Sequence, residues 1–234
     1  MPPRPITQGF ALPPAEPSSL HRQRPKLSIE LRARTGKLHT QAERSGVIVE
    51  ILRGRVSRNG YALYLRNLLP AYQAMEQGLA RRRHAPGFRG IADPGLFRAE
   101  AILRDLTALC GSDWAGTLPI LPEGELYASR MLHAAAGDGT ALIGHAYTRY
   151  LGDLSGAQVL KRSLMCAPGL QPDMLTFFDF PAIADLPAYR NVFRNALDAA
   201  ASDIPDTELV LSEAVQAFQH NIDISEAVQA ALTA

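Results

Sequence analysis

The chain has 234 residues, 47% of them hydrophobic and 20% charged, which suffices for one globular domain able to enclose a small-molecule pocket. Its 24 basic residues face 23 acidic ones, a net charge of +1, so there is no global attraction to nucleic acid or to an anionic membrane and any charged recognition must be local. The two cysteines, Cys110 and Cys166, form no CxxC or CxxCH pattern, which leaves a disulfide framework, a zinc ribbon and covalent cofactor attachment unsupported and makes a reduced, cytoplasmic setting the expectation.

Residues 1–26 hold seven of the 17 prolines and few aliphatic residues at regular spacing. A flexible Pro-rich tail is expected there, with the folded domain running over 27–234. No apolar run followed by a cleavage site opens the chain, and no stretch of about 18 apolar residues occurs, so neither export nor a stable membrane anchor is expected.

In "LSIELRARTGKLHTQAERSGVIVEIL" apolar residues recur near the helical period, predicting two short helices or one broken near Ser45 and Gly46. "VSRNGYALYLRNLLPAYQAMEQGLARR" reads as an amphipathic helix with Ser57 as N-cap and a kink at Pro70. "RRRHAPGFRGIADPG" is a turn-rich connection whose basic cluster reads as a solvated face. Two helices follow, ended by Gly111 and Gly137. One long helix is then expected through "HAYTRYLGDLSGAQVLKRSL", followed by the connector "FFDFPAI" and two periodic helices, "LPAYRNVFRNALDAAA" and "PDTELVLSEAVQAFQHNIDISEAVQAAL". About seven helices and no alternating run long enough for a sheet make the class all-α.

Gly152 and Gly156 lie inside the long helix, where each costs about 1 kcal/mol relative to alanine. Four residues apart, they share one face, with Ser155 and Ala157 small beside them. Such a face admits either a tightly packed second helix or a flat object laid against the main chain. Asp153 between them is costly in a packed core and useful in a pocket holding ordered water. His39 stands four residues before Glu43, which joins a candidate metal-ligating imidazole to an acceptor for its second ring nitrogen. His145 with Thr148 is a weaker rival pair. The chain has no HExxH, Glu-x-x-His, GxSxG, P-loop or GxGxxG before a helix, so carboxylate di-iron, hydrolase and nucleotide-binding readings lack their residues.

Taken together, "LHTQAE" and "HAYTRYLGDLSGAQVLK", with "FFDFPAI" and the late "AFQHNI", resemble the haem oxygenase family over nearly the whole chain after the tail. The resemblance implies a compact single-domain helical bundle clamping haem between a proximal and a distal helix. It implies an oxidoreductase that opens haem b, both substrate and cofactor, at a meso carbon, the α position by family default. The products would be biliverdin, carbon monoxide and ferrous iron, made with O2 and electrons from a separate ferredoxin or flavoprotein reductase.

By the same resemblance His39 is the axial ligand of the haem iron, with Glu43 beside it. The distal helix brings bare main chain at Gly152 and Gly156, with Ser155, close to the gas ligand. Asp153 would hold the water that delivers a proton, in a network with Tyr72, Arg149 and Asn221. Arg32, Tyr147, Arg190 and Arg194 would hold the propionates; relatives commonly carry lysine at the positions of Arg32 and Arg190, which keeps the charge and changes the geometry. Phe218, Ile48 and Ile51 would form an apolar wall. Ala157 stands where many relatives have a third glycine, narrowing the distal gap, and Ser225 where an aromatic residue is common, loosening the wall. Lys161 and Arg162 are candidates for the reductase docking face. The alternative is a non-catalytic haem carrier or sensor on the same fold, which would keep His39 and lose the distal network. A cofactor-free interaction protein would explain none of the glycine pattern.

Overall fold

A computed structural model describes residues 25–233, and among them it contains ten α-helical segments, one π-helical segment and no strand. Most of the predicted Pro-rich tail, and the side chain of Ala157, lie outside the described residues. The first two helices, α1 (Leu27–Ala42) and α2 (Gly46–Leu52), are separate, as the sequence suggested, and the reason is a backbone contact. Gly46 takes a positive φ of 48°, and a Cβ there would stand 2.1 Å from the Ser225 carbonyl oxygen of α10 (Thr207–Thr233). Only glycine fits that turn against the neighbouring helix.

The centre of the core is α3 (Arg58–Arg82), buried over most of its 25 residues. The Ser57 hydroxyl accepts from the Gly60 amide at 3.0 Å to cap it, and the helix continues through Pro70. It packs against α4 (Ala99–Cys110) and α6 (Pro122–Ala136). Between them lies α5 (Trp114–Thr117), a single turn too short for periodicity to mark. Gly111 and Gly137 follow α4 and α6 as predicted.

The long helix expected over residues 145–164 is instead three segments. These are α7 (Thr140–Ala146), a π-helical turn (Tyr147–Leu151) and α8 (Gly152–Met165). A π turn accommodates an extra residue and is frequent at functional sites, but it leaves the apolar spacing too little changed for the sequence to reveal it. Gly144 fixes where this strut lies: a Cβ there would be 2.4 Å from the Val210 carbonyl oxygen of α10, so α7 and α10 cross at backbone contact. The remaining helix, α9 (Leu186–Ala200), packs on α1 and α8. The expected seven helices become ten because α2 stands alone, α5 is added and the long helix divides. No helix among the described residues is long and apolar enough to cross a membrane.

Candidate functional site

A cavity of about 460 Å³ opens between α1, the π turn, α8 and α10, a size usual for small-molecule sites. From α1 it receives Arg32 and His39, with Glu43 just past the helix end, and from the π turn Tyr147 and Arg149. Gly152, Asp153, Ser155 and Gly156 come from α8, Arg194 from α9, and Phe218 and Asn221 from α10. Sequence reasoning thus named most of the lining.

The two glycines of α8 face open space. Among the described residues nothing stands within 4 Å of a Cβ built on Gly152, and only the Leu160 Cδ1, at 3.6 Å, approaches one built on Gly156. A second helix packed on this face would fill those positions with neighbouring atoms. Bare main chain therefore borders the cavity, which decides between the two readings of the pair in favour of room for a flat ligand.

Asp153 is held in a buried cluster. The Tyr72 hydroxyl donates to its Oδ2 at 2.6 Å and accepts from the Arg149 Nε at 2.8 Å. The Arg149 guanidinium lies over the Tyr72 ring, 4.8 Å from its centroid, and donates to the Asn221 amide oxygen. Asn221 in turn donates to the Ala217 carbonyl at 2.8 Å, which sets its orientation. Burial raises the Asp153 carboxyl above the usual aspartate value, opposed by Arg149 and the Tyr72 hydrogen bond. Burial also pushes the Tyr72 hydroxyl well up, so it stays a donor. A carboxylate biased toward protonation in a cleft suits proton transfer. Tyr72 acts from behind; it is fully buried and does not line the cavity.

Across the cavity His39 is more than half exposed, its Nδ1 3.7 Å from the Glu43 Oε1, with Phe218 edge-on at 6.0 Å. Among the described residues no group of three or more His, Cys, Asp or Glu is placed to hold a bare metal ion. A single imidazole suits a metal that brings its own equatorial ligands.

The rival pair does not form. His145 is fully enclosed, and its Nε2 is 2.9 Å from the Glu213 Oε2. Burial lowers its pKa to about 3, so it is a neutral core residue. Thr148 donates instead to the carbonyls of Gly144 and Ala214. Glu213 is also bound by the Arg130 Nε at 3.0 Å, a pairing across 83 residues that no local pattern announces.

Arg32, Tyr147 and Arg194 all line the cavity, together with Ser28, which was not foreseen. The Tyr147 hydroxyl lies 3.3 Å from the Thr35 Oγ1. Arg190 is not among the lining residues, and its Nε is buried with no hydrogen-bond partner among the described residues. Ile48 borders the cavity, whereas Ile51 is closed into the core. Ser225 is no wall residue either: fully buried, it accepts from the Ile48 amide and donates to the Ser45 carbonyl, tying α2 to α10. Tyr64 and Leu160 were missed. Each had a signal, since Tyr64 is eight residues before Tyr72, and Leu160 continues the four-residue spacing of Gly152 and Gly156.

The family model described as heme oxygenase matches residues 25–227. Heme oxygenase 1 of Synechocystis sp. is 35% identical over 196 residues, covering 84% of this chain and 82% of that protein. The crystal structure of heme oxygenase-1 from the same cyanobacterium in complex with heme superposes with a TM-score of 0.81 at 33% identity, covering 89% of this chain and 94% of the other. Heme oxygenase from Leptospira interrogans follows at a TM-score of 0.80 and 30% identity, covering 86% and 99% of the two chains.

Proposed function

The chain belongs to the haem oxygenase family and is a haem-degrading enzyme, and on that premise we propose that it holds haem between α1 and α8 with His39 as the protein ligand of the iron. The observation that carries this reading is the bare main chain at Gly152 and Gly156 bordering the same cavity as the His39 ring. A flat macrocycle with a small gas on one face needs that width, and any side chain at 152 or 156 would take it.

Bound haem supplies a redox iron that binds O2, with electrons from a separate ferredoxin or flavoprotein reductase. The chain's own residues do the rest. Glu43 steadies the second nitrogen of His39, directly or through water. Asp153 holds water on the distal side and passes a proton from it to the gas site. Tyr72 and Arg149 aim the carboxylate, and Asn221 fixes Arg149. Delivery of the proton through water, and not from a side chain pressed on the gas site, would leave bound haem's oxygen chemistry directed at the macrocycle, whose products in this family are biliverdin, carbon monoxide and ferrous iron. Arg32, Arg194 and Tyr147 hold the propionates by charge-assisted bonds, and Ile48 and Phe218 form an apolar wall over other edges, with the α-meso carbon the family's default point of attack. Arg190 would join the propionate site only by turning outward. A non-catalytic carrier would have no use for the buried Asp153 cluster, whose charges are costly to desolvate.

The test is to mix the purified protein with hemin and ascorbate in air. The expected result is loss of the Soret band with growth of a broad red absorbance. A stable Soret band would favour the carrier, and no band would overturn haem binding altogether.

A further inference from the structure

Besides its packing on α2 and α9, α8 is held by two polar contacts. In its first turn Asp153 is bonded to Tyr72. Two turns later the Lys161 Nζ lies 2.5 Å from the Asp179 Oδ1, with the lysine side chain 23% exposed. Lys161, expected with Arg162 at the reductase docking face, is thus part of a half-exposed ion pair, the Asp179 side chain being 46% exposed, and Arg162 is exposed.

The segment carrying Asp179 is itself firmly held. The Asp105 carboxylate accepts from the Thr176 and Phe177 amides, each at 2.8 Å. Phe177 sets its edge against Tyr72 at 5.7 Å, and Phe178 stacks on Tyr61. The buried Arg98 guanidinium donates to the Asp179 carbonyl and covers the Phe180 ring at 4.1 Å. Exposed ion pairs are weak partly because both side chains must be ordered. Here the acceptor is largely ordered beforehand, so most of that cost falls on the lysine. One fixed segment thus reaches α8 at two places, indirectly through Phe177 against Tyr72, which bonds Asp153, and directly through Asp179.

On its cavity face α8 has no packing neighbour among the described residues at Gly152, and only Leu160 of its own helix near Gly156. We propose that the Lys161–Asp179 pair is a positioning device that sets the height of α8 over the cavity and so governs how tightly bound haem is retained. The proposal rests on haem occupying this cavity. Salt that screens the pair should loosen the strut, and so should neutralising either partner.

The experiment compares wild type with Lys161→Met, Asp179→Asn and the double variant in two ways. The first is the rate at which the hemin-loaded protein loses haem to excess apomyoglobin. The second is amide hydrogen exchange along α8 in the haem-free protein. Each single variant should lose haem about threefold faster, the scale of one such pair, and exchange faster in α8 but not in α3. The double variant should go no further than either single one, and high salt should bring wild type to the same rate. Hemin failing to bind wild type would sink the reading of the cavity and this proposal with it. Bound hemin with unchanged loss and exchange, or fully additive effects in the double variant, would sink the role of the pair alone.

Discussion

The Tyr72 hydroxyl gives its proton to Asp153 at 2.6 Å while its lone pair is taken by Arg149 at 2.8 Å. With the acceptor side of the oxygen engaged, the phenol can point only one way, so a residue in the middle of α3 fixes a carboxylate 81 positions later. The carboxylate's other oxygen is 3.7 Å from the Arg149 guanidinium. That contact is too long for a direct hydrogen bond and leaves this oxygen able to take water.

Replacing Asp153 with alanine removes the group that holds the distal water and leaves the cavity walls in place. Hemin binding should stay close to that of wild type. Biliverdin yield should fall by about 10²-fold, the usual worth of a positioned proton donor, and oxidation of a phenol such as guaiacol by added peroxide should rise. Biliverdin formation at the wild-type rate would refute the role of Asp153.

Among the described residues His39 is the one exposed imidazole bordering the cavity, since His145 is enclosed against Glu213. His39→Ala should therefore abolish the spectrum of histidine-ligated ferrous haem, and added imidazole should restore it by entering the space the ring leaves. An unchanged spectrum in the variant would move the ligand elsewhere.

Gly152 has helical φ and ψ of −62° and −51°, and a methyl group added there meets no atom within 4 Å. Gly152→Ala should accordingly stabilise the haem-free protein by up to about 1 kcal/mol, the difference in helix propensity. In the ferrous holoprotein the same methyl should lower carbon monoxide affinity by crowding the gas. Thermal unfolding of the haem-free variant and a CO titration of the loaded one separate the two effects. Greater stability with unchanged CO affinity would mean that the main chain at 152 does not overlie the gas site.

What the sequence disclosed follows from the range of each interaction. His39 with Glu43 and Gly152 with Gly156 are spaced by four, so one helical turn brings each pair together and local reading suffices. The all-α class was legible for the same reason, since apolar spacing repeats within each helix. Tyr72 and Asn221 were placed with Asp153 by family likeness, because pairings over 81 and 72 residues leave no local trace. Ser225 was read as a loosened wall because relatives commonly carry an aromatic residue there, whereas its hydroxyl is a buried link between α2 and α10. Arg190 shares a helical face with Arg194 but does not line the cavity.

Glu76 joins the distal side of the core to the start of α4, accepting from the amides of Arg98 and Ala99 at 2.5 and 3.1 Å. Burial outweighs those bonds and pushes its carboxyl from 4.5 up to about 7. With the folded value above the unfolded one, the folded chain binds more protons between those limits. The stabilising contribution of this group is therefore complete below pH 4.5 and is lost as the pH rises through about 7. At about 1.4 kcal/mol per unit, the loss is on the order of 3 kcal/mol. Glu76→Gln keeps an oxygen for the α4 amides and removes the titration. His145, lowered by burial from 6.5 to about 3, tilts stability the opposite way at acid pH, but it does so equally in both proteins. Urea denaturation across this range should therefore show wild type losing stability relative to the variant as the pH rises. Parallel curves would mean that Glu76 is ionised throughout and that the α4 amides compensate its burial in full.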